Sequence, residues 1–256
     1  MPYDVAVYCF EFFLFEKYGK LRAGQVPPFG FEESEVAGRT IAIGDIHGCA
    51  TALETLLETL APTSDDLIIT LGDYVDRGPE SRRVIDLLLD LEQRCELIAL
   101  LGNHDLMLLR SIEHEIAHKF WMQVGGVQTL ASYGGSLEKI PPDHLEFFHR
   151  LVPYHETDEF LFLHANYNPD LLLDEQTEEN LFWKHVSRDF PAPHSSGKRA
   201  FVGHTPQKDG RVAIHDHIVC VDTGCFAKQW LTGIDVHSLA YWQANERGET
   251  RESGDS

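Results

Sequence analysis

The chain reads as a single α/β domain built around a βαβαβ unit, and three observations predict it. Short apolar runs end at glycine-centred loops: residues 40–43 before Gly44, 67–71 before Gly72, and 97–101 before Gly102. Stretches of helical period follow the first two loops, at residues 50–60 and 81–91. The repeat is regular, with 28 residues from Asp45 to Asp73 and 30 from Asp73 to Asn103. This spacing fits consecutive strand and helix units joined by right-handed crossovers between parallel strands. The three loops then open beyond the carboxyl ends of the strands, where open α/β sheets bind ligands.

A more helical middle is expected from Asp105 to about Met122. It is followed by a glycine-rich stretch, GGVQTLASYGG, and a helix at 143–151 after Pro141 and Pro142. The second half is richer in strands, at 160–163 before His164, 200–202 before Gly203, and 218–221 before Asp222. Residues 231–236 and 239–242 read as a closing hairpin, so the domain is expected to run from residue 39 to 242. Residues 1–38 form an N-terminal extension with a cluster at Phe10, Phe12, Phe13 and Phe15. Its acidic residues, and the lack of a basic residue before Lys17, do not fit a secretory signal. A docked strand or helix, or an upstream start codon, fits it better than a membrane-associating segment. The tail at 243–256 is polar and is expected to fray.

Composition bounds the function. In 256 residues, 21 Lys and Arg stand against 41 Asp and Glu, a formal net charge of −20. Such a surface repels polyanions, which argues against nucleic acid or an anionic membrane as partner. No apolar run is long enough for a transmembrane helix. The five cysteines (Cys9, Cys49, Cys95, Cys220, Cys225) lack paired CxxC spacing and fit reduced thiols in a cytoplasmic protein.

The polar residues at the strand ends carry the chemistry. The first loop is GDIHG (44–48), the second GDYVDRG (72–78), and the third GNHD (102–105); LHAN around His164 and GHTP around His204 follow. Asp45, His47, Asp73, Asn103, His164 and His204 therefore sit just after predicted strands. Carboxylate, imidazole and amide are the types that hold Mn, Fe or Zn through oxygen and nitrogen. Two neighbouring ions need a bridging carboxylate, and Asp73 of the central loop is the candidate. Singly, each residue has a bland explanation, such as a satisfied histidine or an Asp serving as a helix N-cap. Five motifs, each at a predicted strand end, do not.

Together, GDIHG, GDYVDRG, GNHD and the later single-His motifs resemble the phosphoprotein-phosphatase family of metallophosphoesterases. GHTP (203–206) and VDTG (221–224) are most similar to its bacterial and bacteriophage serine/threonine branch. The resemblance spans roughly residues 39–236. It implies a central β-sandwich flanked by helices and a site for two divalent ions, with Mn expected and Fe, Zn or Mg as alternatives. Carried over, Asp45, His47 and His204 would hold one ion, Asn103 and His164 the other, and Asp73 would bridge. An activated water would attack phosphorus in line. His104 would protonate the leaving oxygen with Asp76 behind it, and Arg77 would grip the phosphoryl oxygens, as Asn103 would in part. One departure stands out: in LFWKHVSRDF, His185 occupies the place of a second phosphate-binding Arg, so Lys184, His185 or Arg188 is expected to serve.

Competing signals are weaker. HEIAH (114–118) matches a zinc-protease pattern but lacks a marked third ligand, and packing beside Trp121 explains it more simply. The cluster at 215–217 reads as a surface strand or turn, and Cys49 as a small buried residue opening a helix. No GxSxG elbow, GxxxxGK[ST] loop or GxGxxG occurs. The sequence therefore predicts a hydrolase of phosphate esters acting on a phosphorylated protein or a small phosphate ester. Serine/threonine phosphoprotein phosphatase is the first expectation, and dinucleoside-polyphosphate hydrolase the alternative. The sparse basic residues weigh mildly against a tetraphosphate. A phosphoprotein-binding module with a vestigial site is a third reading, disfavoured because every catalytic position holds a competent residue.

Overall fold

The computed structural model describes residues 38–186 and 190–254. The expected N-terminal extension and Arg188 lie outside the described residues. Strand β1 (Thr40–Ile43) leads through helix α1 (Ala50–Leu60) to β2 (Leu67–Thr70), and thence through α2 (Ser81–Glu92) to β3 (Glu96–Ala99). The three strands pair in parallel, as the regular spacing predicts. Both helices bury one stripe, Leu53, Leu56, Leu57 and Leu60 on α1 and Val84, Ile85, Leu88 and Leu91 on α2. Apolar residues three and four apart give a helix a face to bury. Truncating a side chain such as Leu56 to Ala costs about 2–5 kcal/mol.

The helical middle is less regular than its sequence suggests. Helix α3 (Asn103–Glu113) stops where His114 adopts extended backbone, φ −138° and ψ 122°. A short α4 (Glu115–Trp121) then passes through a π turn (Met122–Gly126) into α5 (Val127–Ser132), so part of the glycine-rich stretch is helical. Helix α6 (Pro142–Arg150) begins with the N1 proline that suits a helix start.

The second half supplies β4 (Tyr154–Glu156), β5 (Phe160–Leu163), β6 (Arg199–Val202), β7 (Ala213–Ile214) and β8 (Ile218–Cys220). These form a sheet in the order β4-β5-β6-β8-β7. The chain closes with β9 (Leu231–Asp235), β10 (Tyr241–Ala244) and β11 (Thr250–Glu252), which extend the first sheet to the order β11-β10-β9-β1-β2-β3. The expected hairpin is present. The expected fraying of the tail is corrected: Thr250–Glu252 pairs antiparallel with β10, and Arg251 Nε donates to Gln243 Oε1 at 2.6 Å. Backbone pairing and one polar cross-strand contact order this segment without aliphatic side chains.

The sheets face each other across Ala42, Ile69, Leu71 and Leu100 on one side and Phe162, Phe201, Val219 and Val221 on the other. Alternate residues Leu161, Leu163, Ala200 and Val202 face the second sheet's outer layer, with Tyr167, Leu173 and Phe182. Helices α1 and α2 cover the first sheet's outer face. The fold is thus the helix-flanked α/β sandwich that the resemblance implies. At the domain's start, Arg39 donates from N, Nε and Nη2 to the buried Asp66 carboxylate at 2.8–3.1 Å, tying β1 to the loop before β2. Those hydrogen bonds hold Asp66 well below the usual carboxylate range. Among the described residues Cys49, Cys95, Cys220 and Cys225 are buried free thiols.

Candidate active site

The three sequence-predicted loops open together and meet the ends of β5 and β6. Left-handed backbone concentrates here: φ is 47° at His47, 55° at Asp73, 72° at Asp76, 66° at Arg77 and 61° at His204. Such conformations cost non-glycine residues about 1–3 kcal/mol each and persist only where neighbours enforce them. The enforcement is visible. Ile46 and His47 both donate backbone N–H to Asp73 O, at 3.1 and 2.8 Å, and Gly78 donates to His47 O at 2.9 Å. The buried Asp105 carboxylate accepts from the N–H groups of Asp73, Tyr74 and Gly102 at 2.8–3.0 Å, locking the second loop to the third.

Three histidines point one ring nitrogen at this junction and commit the other to a backbone carbonyl. His47 Nδ1 donates to Val75 O at 2.8 Å, His164 Nδ1 to Leu71 O at 2.7 Å, and His204 Nε2 to Trp183 O at 3.1 Å. A carbonyl only accepts, so these contacts fix each tautomer and leave the opposite nitrogen as an unprotonated acceptor, which at His47 meets Arg77 Nη1 at 2.9 Å. His47 Nε2 faces Asp73 Oδ2 at 3.3 Å and Asp45 Oδ2 at 4.0 Å. His164 Nε2 faces Asp73 Oδ1 at 3.6 Å and Asn103 Oδ1 at 3.0 Å, while His204 Nδ1 lies 3.1 Å from Asn103 Oδ1. The two oxygens of Asp73 thus serve different histidines. The His204 ring stands with Asn103 and His164, and only its backbone N–H reaches Asp45, at 3.0 Å. That placement, beside Asn103 and His164, differs from the grouping with Asp45 and His47 that the resemblance would give.

The titration behaviour matches. Burial holds His47 and His204 well below the usual imidazole range, with Arg77 adding to the effect at His47 and His164 at His204; burial also lowers His164. Burial pushes Asp45 well above the carboxylate range, aided by Asp222 and Asp73, and pushes Asp222 up to about 7. Neutral imidazole lone pairs and crowded carboxylates facing one another repel. A divalent cation among them converts that repulsion into coordination, so the donor set fits such an ion. Among the described residues, the two groups with ligand spacing both contain Asp73: His47 with Asp73 and His104, and Asp73 with His164 and His204.

Beside this cluster, His104 Nδ1 lies 2.7 Å from Asp76 Oδ2. Arg77 donates from Nη1 to His47 Nε2 and from Nη2 to His104 Nε2, both at 2.9 Å, and its guanidinium lies 4.4 Å over the ring of Phe226. His185 stacks on His204, with centroids 4.4 Å apart and planes at 25°, which brings it to the site. Its neighbour Lys184 is exposed. HEIAH spans the break between α3 and α4, and His118 packs on Trp121 at 5.7 Å. His215 follows β7, its ring 4.0 Å from that of Phe190.

Sequence reasoning missed Asp105, Trp121, Thr129 and Phe226. The GNHD motif contains Asp105, and its place three residues after Gly102 is a capping signal. Nothing local marks the other three.

The sequence profile of the calcineurin-like phosphoesterases matches residues 38–225. An asymmetrical bis(5'-nucleosyl)-tetraphosphatase from Oceanobacillus iheyensis is 28% identical over 222 residues, 74% of this chain and 85% of that protein. A symmetrical bis(5'-nucleosyl)-tetraphosphatase from Burkholderia pseudomallei is 46% identical over 69 residues, 27% of this chain and 24% of that protein. The crystal structure of a candidate diadenosine tetraphosphatase superposes with a TM-score of 0.63 at 20% identity, covering 88% of this chain and 97% of that one. A cold-active protein-tyrosine phosphatase from Shewanella gives 0.60 at 15% identity over 91% and 88%. These superpositions establish likeness of fold.

Proposed function

From the premise that this chain belongs to the calcineurin-like phosphoesterase family, and so is a phosphoester hydrolase, we propose that it cleaves dinucleoside polyphosphates. The observation that carries the chemistry is the convergence of His47, His164 and His204 on the two oxygens of Asp73 and on Asn103, beside the His104 and Asp76 pair. Asp45, His47 and Asp73 would hold one divalent ion, and Asp73, Asn103, His164 and His204 a second, with Mn the expected metal. When bound, such ions supply Lewis acidity and an activated water.

The chain's own residues do the rest. Arg77 presents two N–H groups to phosphoryl oxygens, which compete for them with His47 and His104. Phe226 backs the guanidinium and keeps its edge turned inward. Asp76 holds the proton on His104 Nδ1, orienting the ring so that Nε2 delivers a proton to the leaving oxygen. His185, against His204, is the second-clamp candidate that a described contact brings to the site. Buried free thiols suit a cytoplasmic setting.

For the substrate, the relative aligned along three quarters of the chain supports a bis(nucleosyl) tetraphosphate. The second reading, a serine/threonine phosphoprotein phosphatase, draws on the motif set and on the scarcity of cations for binding four phosphates. The test is manganese-dependent turnover of diadenosine tetraphosphate and of a phosphoserine peptide in parallel, with a chelator control. Nucleotide cleavage dominating supports the proposal, with ADP alone indicating a symmetrical cut and AMP plus ATP an asymmetrical one. Faster release of phosphate from the peptide overturns it in favour of the second reading.

A further inference from the structure

The glycine-rich stretch of the helical middle is pressed against the loop that carries Asp76. At Gly125, with φ 134°, a Cβ would lie 3.0 Å from both Arg77 N and Asp76 Cβ; at Gly126 it would lie 2.4 Å from the Trp121 ring. Any larger residue would hold the segment off, so the two glycines permit a contact that nothing in the local sequence requires. The contact delivers two polar groups to one carboxylate. Trp121 Nε1 donates to Asp76 Oδ1 at 3.0 Å and Oδ2 at 2.9 Å, and Thr129 Oγ1 donates to Oδ1 at 2.7 Å. The same Thr129 oxygen accepts the Asp76 backbone N–H at 2.7 Å and lies 3.1 Å from Ser81 Oγ. All these groups are buried.

This set closes around Asp76. Thr129 occupies Oδ1 and Trp121 Nε1 spans both oxygens, so Oδ2 is shared between the indole N–H and His104 Nδ1. They hold carboxylate and main chain together, at a residue whose φ of 72° is unfavourable by itself. We propose that Trp121 and Thr129 are positioning residues for phosphoester cleavage, fixing the Asp76 carboxylate that orients His104 as proton donor. This rests on the assignment of His104 as that donor. A role in packing alone would lie in the indole ring and the threonine methyl. A positioning role lies in one N–H and one O–H, and these can be removed while the shape is kept.

The test uses the manganese-loaded full chain with Trp121→Phe, Thr129→Val and Thr129→Ser, and His104→Asn as reference. Two phosphomonoesters serve as probes: β-glycerophosphate, whose alkoxide needs a proton to leave, and p-nitrophenyl phosphate, whose phenolate does not. Loss of a general acid costs about 10²–10⁴-fold where a proton is needed. The expected result is a kcat loss of about tenfold or more on β-glycerophosphate for Trp121→Phe and Thr129→Val, a fraction of the full acid effect. Loss on p-nitrophenyl phosphate is small, KM is unchanged on both probes, and Thr129→Ser restores turnover. Equal losses on both probes, or no loss in variants that melt like the parent, would overturn the positioning role while His104→Asn still separates the probes. If His104→Asn itself fails to separate them, the assignment of His104 falls and this inference falls with it.

Discussion

The two sheets contribute unequally to the site. The parallel trio of the first sheet delivers Asp45, His47, Asp73, Asp76, Arg77, Asn103 and His104 from three loops; the second delivers one histidine from each of two, His164 and His204. Four of the five left-handed site residues belong to the first sheet's loops. Strain and the groups proposed to react therefore sit on one side, held by a dense loop-to-loop network. The other side offers two imidazoles, each braced by a backbone carbonyl. On the proposed assignment the second sheet would complete the ligand set and the first would carry the acid dyad, so damage to the second is expected to be repairable by added metal. Damage to the first is not.

Asp73 joins the two sides, so Asp73→Asn is expected to have the largest effect, removing both metals and turnover together; retention of two tightly bound ions, read by elemental analysis, would break the bridging assignment. Next, His104→Asn is expected to keep its metal and lose about 10²–10⁴-fold in kcat on esters with poor leaving groups. On the second sheet, His204→Ala should weaken metal binding and recover much of its turnover at high manganese. A titration of activity against manganese checks this, and a loss that no manganese concentration repairs would erase the contrast between the sheets.

Smaller effects sharpen the picture. Asp66→Asn, in the tie between β1 and the loop before β2, should cost about 1.5–3 kcal/mol at neutral pH, as charge-assisted hydrogen bonds do. Because the folded carboxyl titrates below its unfolded value, this contribution is complete above the unfolded value of about 4 and is lost as pH falls through the folded one. Denaturant melts of parent and variant should therefore converge on acidification below pH of about 4. Parallel melts across that range would deny the pair its role. Smallest of all, Phe226→Leu should raise KM a few-fold by removing a cation–π contact of about 0.5–2 kcal/mol behind Arg77; steady-state kinetics reads it directly.

The same contrast marks what the sequence makes legible. The apolar runs, their spacing and the polar residues just beyond them predict the parallel trio and place Asp45, His47, Asp73, Asn103, His164 and His204 at strand ends that meet in one cluster. Each signal is local, a strand with its own loop. Contacts between distant segments escape. Thr129 lies 53 residues from Asp76 and Trp121 lies 45 away, with no periodicity to connect them. The partnership of His204 depends on a carbonyl 21 residues back, at Trp183. The last strand escapes for another reason: backbone pairing with β10 orders it, where side-chain composition alone reads as solvated tail.

On the proposed reading, side chains from both sheets converge to hold two divalent ions that turnover requires. The most direct test is elemental analysis of the purified chain, alongside phosphoester hydrolysis before and after chelation and on adding back manganese. About two equivalents per chain are expected, as two-metal phosphoesterase chemistry requires, with loss of turnover on chelation and recovery as both are restored. Full turnover from protein holding less than about one equivalent would contradict it.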